Sequence, residues 1–576
     1  MVLPCDGLRR VTALPIRVTT YADAVSEADV IADRAAPALN RHHGEVYTQR
    51  WVVDLILDLV GYTDNDDLSQ RRLLDPACGG GAFMVAAAQR LSSSCRKRGL
   101  SITDAADALR AVDLQERNVM ATAEAVAAVL RADGWALDQV TAVVTGWVRH
   151  SDFLLATDTD RFDAVVGNPP YLRLEDIPAE KSDAYRRVCH TMVGRADIYV
   201  GFYELALRRL RNGGALGFIC ADRWMRNQYG RALRGLVASG FSVETVITMH
   251  DVDAFLEEVS AYPAITVIRR GVQGRTVVAD TTRRFDAGAA AQFLAWWADP
   301  AATDISTPAF QAARMPGWFA DQEAWPTGSP AQLAMIEAIT ERFSRLEETG
   351  RGTRVGIGIA TGADAVYLTT QDDAVEPERL LPIAMVQDVT TGSLQWRGTY
   401  LVNPWEADGS LADLARYPRL QAYFQRHEQQ LVGRYVTKRQ PERWYKTIDR
   451  VDASLTSREK LLLPDMKLQI HPVLDTGGTY PHHNLYYIVS DTWDLRVLGG
   501  LLLSDIAQAF VEAYAVRMRG GTLRFQAQYL RKIRVPDPGA INEDDQNELR
   551  AVFARRDREG ANRIAGRLYG VTRSST

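Results

Sequence analysis

Phe162-Asp163-Ala164-Val165-Val166-Gly167 runs directly into Asn168-Pro169-Pro170-Tyr171, and the reading of these ten residues decides the fold. The first six form a short apolar run of strand type, closed by a glycine. The tetrapeptide after it reads as a pocket for a planar amino group. The Asn168 side-chain oxygen and the Pro169 carbonyl can accept both hydrogens of an exocyclic NH2, while the prolines fix φ and remove competing donors. Tyr171 offers a ring face for stacking. An isolated Asn-Pro-Pro is more often a turn after a strand, so the surroundings carry the reading.

Upstream, Leu73-Leu74-Asp75-Pro76-Ala77-Cys78-Gly79-Gly80-Gly81-Ala82-Phe83 reads as a strand, a glycine turn and the start of a helix that continues through Met84, Val85, Ala88 and Leu91. Glycines there let a ligand lie against backbone N–H groups, as in nucleotide-binding α/β folds. The spacing is not GxGxxG, which gives little support to a dinucleotide site. Ala111-Val112-Asp113-Leu114 ends the next short strand with an acid placed to accept from ribose hydroxyls. Ser151-Asp152-Phe153 offers a second acid at a strand-like end. Each acid alone is an ordinary cap or loop residue; together and in this order they are specific.

With these motifs the sequence resembles the class I S-adenosylmethionine-dependent methyltransferases, and within them the amino-methylating DNA methyltransferases of the Taq-like, Eco57I-like gamma group. The resemblance is close over about residues 42 to 271. The family's Tyr-Thr-Pro is here Tyr47-Thr48-Gln49, and Thr48 is expected to cap the helix carrying Val52, Val53, Leu55, Ile56 and Leu59. Ala196 to Phe202, Asn212 to Ile219 and Val259 to Thr266 look like later segments of the family's core. The implied fold is α/β: a Rossmann-like methyltransferase domain followed by an α+β target-recognition domain.

The resemblance assigns Thr48 and Asp75, Pro76, Ala77, Cys78 and Gly79 to the methionine end of S-adenosylmethionine. It gives Asp113 to the ribose, Asp152 to the adenine amino group and Pro170 to the adenine ring. Asn168, Pro169, Pro170 and Tyr171 are the implied catalytic residues, with Tyr171 as stacking partner of a flipped target base and Phe255 as either its second aromatic wall or a core residue. It implies no metal. The chemistry is chiefly positioning, because a sulfonium methyl is already activated and alignment alone is worth roughly 7 to 11 kcal/mol. Adenine N6 is the expected acceptor. Cytosine N4, guanine N2 in RNA and a protein glutamine amide are planar amino alternatives, the last two without need of a long C-terminal region.

Length and composition are those of an intracellular enzyme with more than one core. At 576 residues, two or three domains are expected. The five cysteines, at 5, 78, 95, 189 and 220, have no metal-ligand spacing and argue for a reducing compartment. His42-His43 and His482-His483 stand without HExxH or a similar constellation, and read as non-ligands. No run approaches the roughly 18 apolar residues of a membrane span. The expectation is a soluble, cytoplasmic protein with no membrane partner.

The net charge of −5 is carried unevenly. Residues 431 to 467 hold nine basic residues, among them Arg434, Lys438, Arg439, Arg443 and Lys446, against five acidic ones, interleaved with Tyr435, Trp444 and Tyr445. Residues 513 to 536 hold six, including Arg519 and Arg524, and no acid. Two such patches on the expected recognition domain point to phosphate contacts with double-stranded DNA. A separate cognate restriction endonuclease is the other expected partner. A fused nuclease has no room before the methylase core, and Pro464-Asp465-Met466-Lys467 lacks nuclease spacing and reads as a turn.

Four segments follow: an N-terminal arm over 1–40, the catalytic domain over 41–271, a connector over 272–345 and the recognition domain over 346–576. The connector, rich in Pro and Trp, reads as an ordered but irregular bridge. Beyond it, Thr353 to Gly362 and Ala365 to Leu368 look β-rich, and a long helix is expected around 495–517.

Overall fold

The computed structural model describes residues 47–571, apart from 257–261, 318, 320, 349, 439 and 516–521. The expected N-terminal arm, Arg439 and Arg519 lie outside the described residues. The chain divides into two compact units, one ending at Ala331 and the other beginning at Gln332.

A ten-stranded sheet organises the first unit. In chain order its strands are β1 (Leu73–Asp75), β2 (Leu109–Asp113), β3 (Val148–His150), β4 (Phe162–Gly167), β5 (Leu210–Ala221), β6 (Phe241–Thr248), β7 (Pro263–Arg270), β8 (Thr276–Thr281), β9 (Asp304–Ser306) and β10 (Phe310–Met315). Their spatial order is β3-β2-β1-β4-β5-β7-β6-β8-β10-β9. The first five are parallel neighbours, whereas β7 lies antiparallel to both β5 and β6. That order with that reversal is the class I methyltransferase topology.

The strand sequences follow from this placement. Central β1 is buried along its whole length, and β4 at all but Asp163, so they read as continuous apolar runs without alternation. Helices α1 (Arg50–Leu59), α2 (Ala82–Lys97), α3 (Glu116–Ala132) and α4 (Leu137–Trp147) lay apolar faces against the sheet, and Val52, Ile56, Met84, Leu91, Val126, Val140 and Trp147 share one core. Alternation of strand and helix, with parallel pairing, is what crossover connections require.

The connector expectation is corrected here. Residues 276–315 are three further strands of the same sheet and a helix, Ala287–Ala298, whose Phe293 and Trp296 join the core. Trp325 is 1 % exposed and meets Trp224 edge-on at 5.1 Å. Short strands interrupted by prolines show too little alternation to be recognised in the sequence.

The second unit is α+β. It holds two four-stranded sheets, one of Thr353–Ile357, Leu485–Ser490, Lys460–Pro464 and Val473–Asp475, the other of Leu368–Thr369, Tyr400–Val402, Leu380–Ala384 and Tyr480–Pro481. Three expectations change. The long helix is two, Leu495–Leu502 and Asp505–Tyr514, bent by 68° where Ser504 accepts from the Ala507 N–H and starts the second. Asp364–Tyr367 is a helical turn before a two-residue strand, and Pro464 and Met466–Lys467 belong to strands on either side of Asp465.

Candidate active site

Because β1, β2, β3 and β4 run parallel, their carboxyl ends share one edge of the sheet, where open α/β folds bind ligands. Asp75 ends β1, Asp113 ends β2, Asp152 follows β3 and Asn168 follows β4. In register, Asp75 stands opposite Ala111, and Asp113 opposite His150. Topology thus gathers the four candidate side chains.

The glycine turn is strapped to the strand ends. The Cys78 N–H donates to the Val112 carbonyl at 3.0 Å, and the Gly79 N–H to Asp113 Oδ2 at 2.9 Å. Gly79 and Gly81 have φ of +50° and +87°, a region that disfavours side chains. Asp113 Oδ1 also accepts from the Gln115 N–H at 2.8 Å and from Asn118 Nδ2 at 3.1 Å. Asp75, 1 % exposed, accepts from the Ala77 N–H at 3.2 Å. Burial pushes its carboxyl up to about 8, and the Asp113 charge acts the same way. Burial also raises the Cys78 thiol well above its ordinary range, which keeps it protonated and inert.

Asp152 is half-buried under a short helix, Ala179–Val188. Its Oδ1 accepts from the Leu154 N–H at 3.1 Å, and its Oδ2 takes the Tyr185 hydroxyl at 2.8 Å and pairs with Lys181 Nζ at 3.2 Å. Lys181 and Tyr185, four apart on one helical face, fix this carboxylate.

At the end of β4, Asn168 Nδ2 donates to Thr48 Oγ1 at 3.3 Å. Thr48 does not cap α1, as the sequence led us to expect: Gln49 is the N-cap residue and makes no side-chain cap bond. Thr48 is instead held in an antiparallel bridge to Phe255, flanked by Gln49 N–H to Ala254 carbonyl at 3.0 Å and Leu256 N–H to Tyr47 carbonyl at 2.9 Å. Phe255 itself is 9 % exposed and belongs to the core, so the structure makes it a packing residue that supports Thr48 rather than an open stacking wall. Pro169 is buried, while Asn168, Pro170 and Tyr171 are half-buried. The Tyr171 ring lies 6.4 Å from Tyr199, and its buried hydroxyl, beside Cys220, is held far above the usual tyrosine range, chiefly by burial.

Several contributors were not singled out from sequence. A Cβ on Gly167 would come 3.0 Å from Asp75 Oδ1, so glycine allows β4 to end against that carboxylate. Thr122 Oγ1 donates to the Gly79 carbonyl at 3.0 Å. Asn118 and Thr122, one turn apart on the buried face of α3, were a legible signal. Asp222, fully buried after β5, receives Arg226 Nη2 at 2.5 Å and lies 2.7 Å from His250 Nε2. Burial acts to raise the Asp222 carboxyl, but Arg226 and His250 outweigh it and hold it at about 2.

The two basic segments are less free than their composition suggests. Arg434 donates to the carbonyls of Leu431, Thr361, Trp444 and Lys446 and to the Tyr367 hydroxyl, so it is a structural residue and not a phosphate contact. Arg524 is paired with Asp465 and is corrected likewise. Lys446 Nζ donates to Gln440 Oε1 at 2.6 Å, and Arg443 lies over the Trp405 ring at 5.7 Å. Lys438 is exposed. A charge count sees none of these internal partners.

The reversed β7, with acidic side chains and Asn168 at successive strand ends, marks the fold of the class I S-adenosylmethionine-dependent methyltransferases. The Eco57I restriction-modification methylase family matches residues 111–255. Over 533 residues, 92 % of each chain, the sequence is 43 % identical to the type II methyltransferase M.PaeR7I of Pseudomonas aeruginosa. It is 41 % identical to M.XhoI of Xanthomonas vasicola, over 92 % of this chain and 97 % of that one. Among solved structures it is similar in fold to MmeI, a type IIL restriction-modification enzyme in complex with DNA, with a TM-score of 0.55, 11 % identity, and coverage of 92 % of this chain and 74 % of that one. The chain belongs to the Eco57I-like restriction-modification methylases, as a type II DNA methyltransferase.

Proposed function

We propose that this protein transfers the methyl group of S-adenosylmethionine to the N6 amino group of a flipped adenine in double-stranded DNA, in the cytoplasm, as the modification half of a restriction-modification system. The observation that carries the reading is Asn168, at the carboxyl end of β4 with its amide nitrogen on Thr48, so that Oδ1 faces the other way. The cofactor, when bound, supplies an electrophilic methyl group. The residues fit it: a glycine turn pinned by Asp113 and three acidic side chains along one edge suit a ligand that carries an amine and two hydroxyls.

In this reading Asn168 Oδ1 and the Pro169 carbonyl accept the two hydrogens of the target amine. That favours a tetrahedral nitrogen whose lone pair is no longer delocalised into the ring, aimed at the methyl carbon. Tyr171 presents a ring face to the extruded base, whose unstacking costs a few kcal/mol. Asp75 meets the methionine end, Asp113 the ribose and Asp152 the adenine amine. A base is needed only for the proton that becomes acidic once the methyl is attached, and no side chain at the edge has to act before transfer. The exposed Lys438 and the neighbouring Arg443 and Lys446 lie in the segment assigned to target DNA.

The test is nucleoside mass spectrometry of unmethylated duplex DNA incubated with protein and isotopically labelled S-adenosylmethionine. Labelled N6-methyladenosine supports the reading. Labelled N4-methylcytosine would keep the mechanism and overturn the base; no label in DNA, with cofactor bound, would overturn the substrate.

A further inference from the structure

A second cluster of polar groups lies in the second unit, far in sequence from the Asn-Pro-Pro-Tyr edge. One ligand-type atom from each of Asp364, His482 and His483 lies within 4.8 Å of the others. Around a tetrahedral ion with bonds of about 2 Å, such atoms sit about 3.3 Å apart, so modest side-chain rotation closes the set. His482 is 2 % exposed and its Nε2 lies 3.1 Å from Asp364 Oδ2. The two imidazoles meet with ring centroids 4.1 Å apart.

The nitrogen inventory is what singles the cluster out. His482 Nδ1 and His483 Nδ1 are both buried with no hydrogen-bond partner among the described residues. Buried ring nitrogens are rarely left so, and a bound ion or water is the usual reason. The backbone is fixed: His482 N–H donates to the Ala384 carbonyl and His483 N–H to the Ile359 carbonyl, each at 3.1 Å. Asp364 is fixed from the other side, where its Oδ1 accepts from Thr361 Oγ1 at 2.5 Å.

We propose that Asp364, His482 and His483 bind one divalent transition-metal ion of the zinc class, with water completing the coordination. Two imidazoles and one carboxylate suit zinc and its first-row neighbours, whereas magnesium and calcium favour all-oxygen shells. Asp364 is 43 % exposed, which gives the ion a path from solvent. The ion clips the loop Thr361–Asp364 to the turn after Tyr480–Pro481. The histidine pair was set aside in sequence for want of a local motif; its third ligand stands 118 residues earlier.

Untagged full-length protein, stripped with a chelator and dialysed, is titrated with zinc by calorimetry and with cobalt by visible absorption. One ion per chain is expected, with cobalt d–d bands and a higher Tm on zinc addition. His483→Ala and Asp364→Ala, at half-buried and exposed positions, should fold and bind at least about tenfold more weakly. Failure to bind stoichiometrically would overturn the proposal, and so would zinc affinity unchanged in both variants, which would place the ion elsewhere.

Discussion

Asn168 and Thr48, 120 residues apart in the chain, are joined by a hydrogen bond of 3.3 Å from the amide nitrogen to the hydroxyl. The bond decides which way the amide faces. On the proposed function Asn168→Ala removes the acceptor for the target amine, and kcat should fall about 100- to 1,000-fold, the usual loss for one preorganised polar group. Cofactor affinity should stay within a few fold. Thr48→Val keeps the shape and loses the orienting bond, worth about 1 kcal/mol, so a five- to tenfold fall in kcat is expected. Single-turnover kinetics with calorimetric cofactor binding checks both; equal losses in the two variants would remove the orienting role.

Asp75 links stability to pH. Its carboxyl, ordinarily near 3.8, titrates at about 8 in the fold because burial disfavours the charge. The folded state therefore holds a proton that the unfolded chain has lost, and stability drains away as pH rises from about 4 through about 8. Asp75→Asn carries no charge to bury, so its unfolding free energy should decline less over that range. Urea unfolding of cofactor-free protein at several pH values between 5 and 9 measures this; parallel curves for the two proteins would refute it.

What the sequence disclosed, and what it hid, have distinct physical causes. Asp75, Asp113 and Asn168 were legible because each closes an apolar run, and a run buried on both faces needs no partner to be recognised. Strands β8 to β10 were hidden because their partners supply the context that their short, proline-bounded sequences lack. The break at Ser504 was hidden inside an apolar stretch, where a cap residue looks like a tolerated polar one. Arg434 shows the limit of charge counting: four of the five acceptors around one guanidinium lie ten or more residues away along the chain.

Asp222 sits between Arg226 and His250 with no exposure to solvent. Removing one member of such a group strands the others, and Asp222→Ala should cost about 3 to 5 kcal/mol. Its carboxyl titrates at about 2, below the ordinary 3.8, so its stabilisation is complete above about pH 4 and is lost as pH falls towards 2. The Asp222 N–H also donates to the Tyr262 carbonyl at 3.1 Å, and His250 meets the Tyr262 ring, so the damage should reach the start of β7. Hydrogen exchange should show β7 amides losing protection in the variant; full protection there would confine the network to a local role.

Arg434 and Lys438, a helical turn apart in one basic segment, should separate stability from DNA binding. The Arg434 guanidinium is consumed by four carbonyls and a hydroxyl, and Arg434→Ala leaves several of them unsatisfied at a cost of about 3 kcal/mol. Its DNA affinity, measured well below its Tm, should fall little. Lys438 is exposed, and Lys438→Ala should leave the Tm within a degree or two while weakening DNA binding at low salt. If Lys438 neutralises one phosphate, the slope of log K against log salt should drop by about 1. Fluorescence anisotropy across a salt series, paired with thermal melts, reads both quantities. An unchanged salt slope in Lys438→Ala would move the phosphate contacts away from this segment, and an unchanged Tm in Arg434→Ala would mean that the guanidinium is free to reach DNA after all.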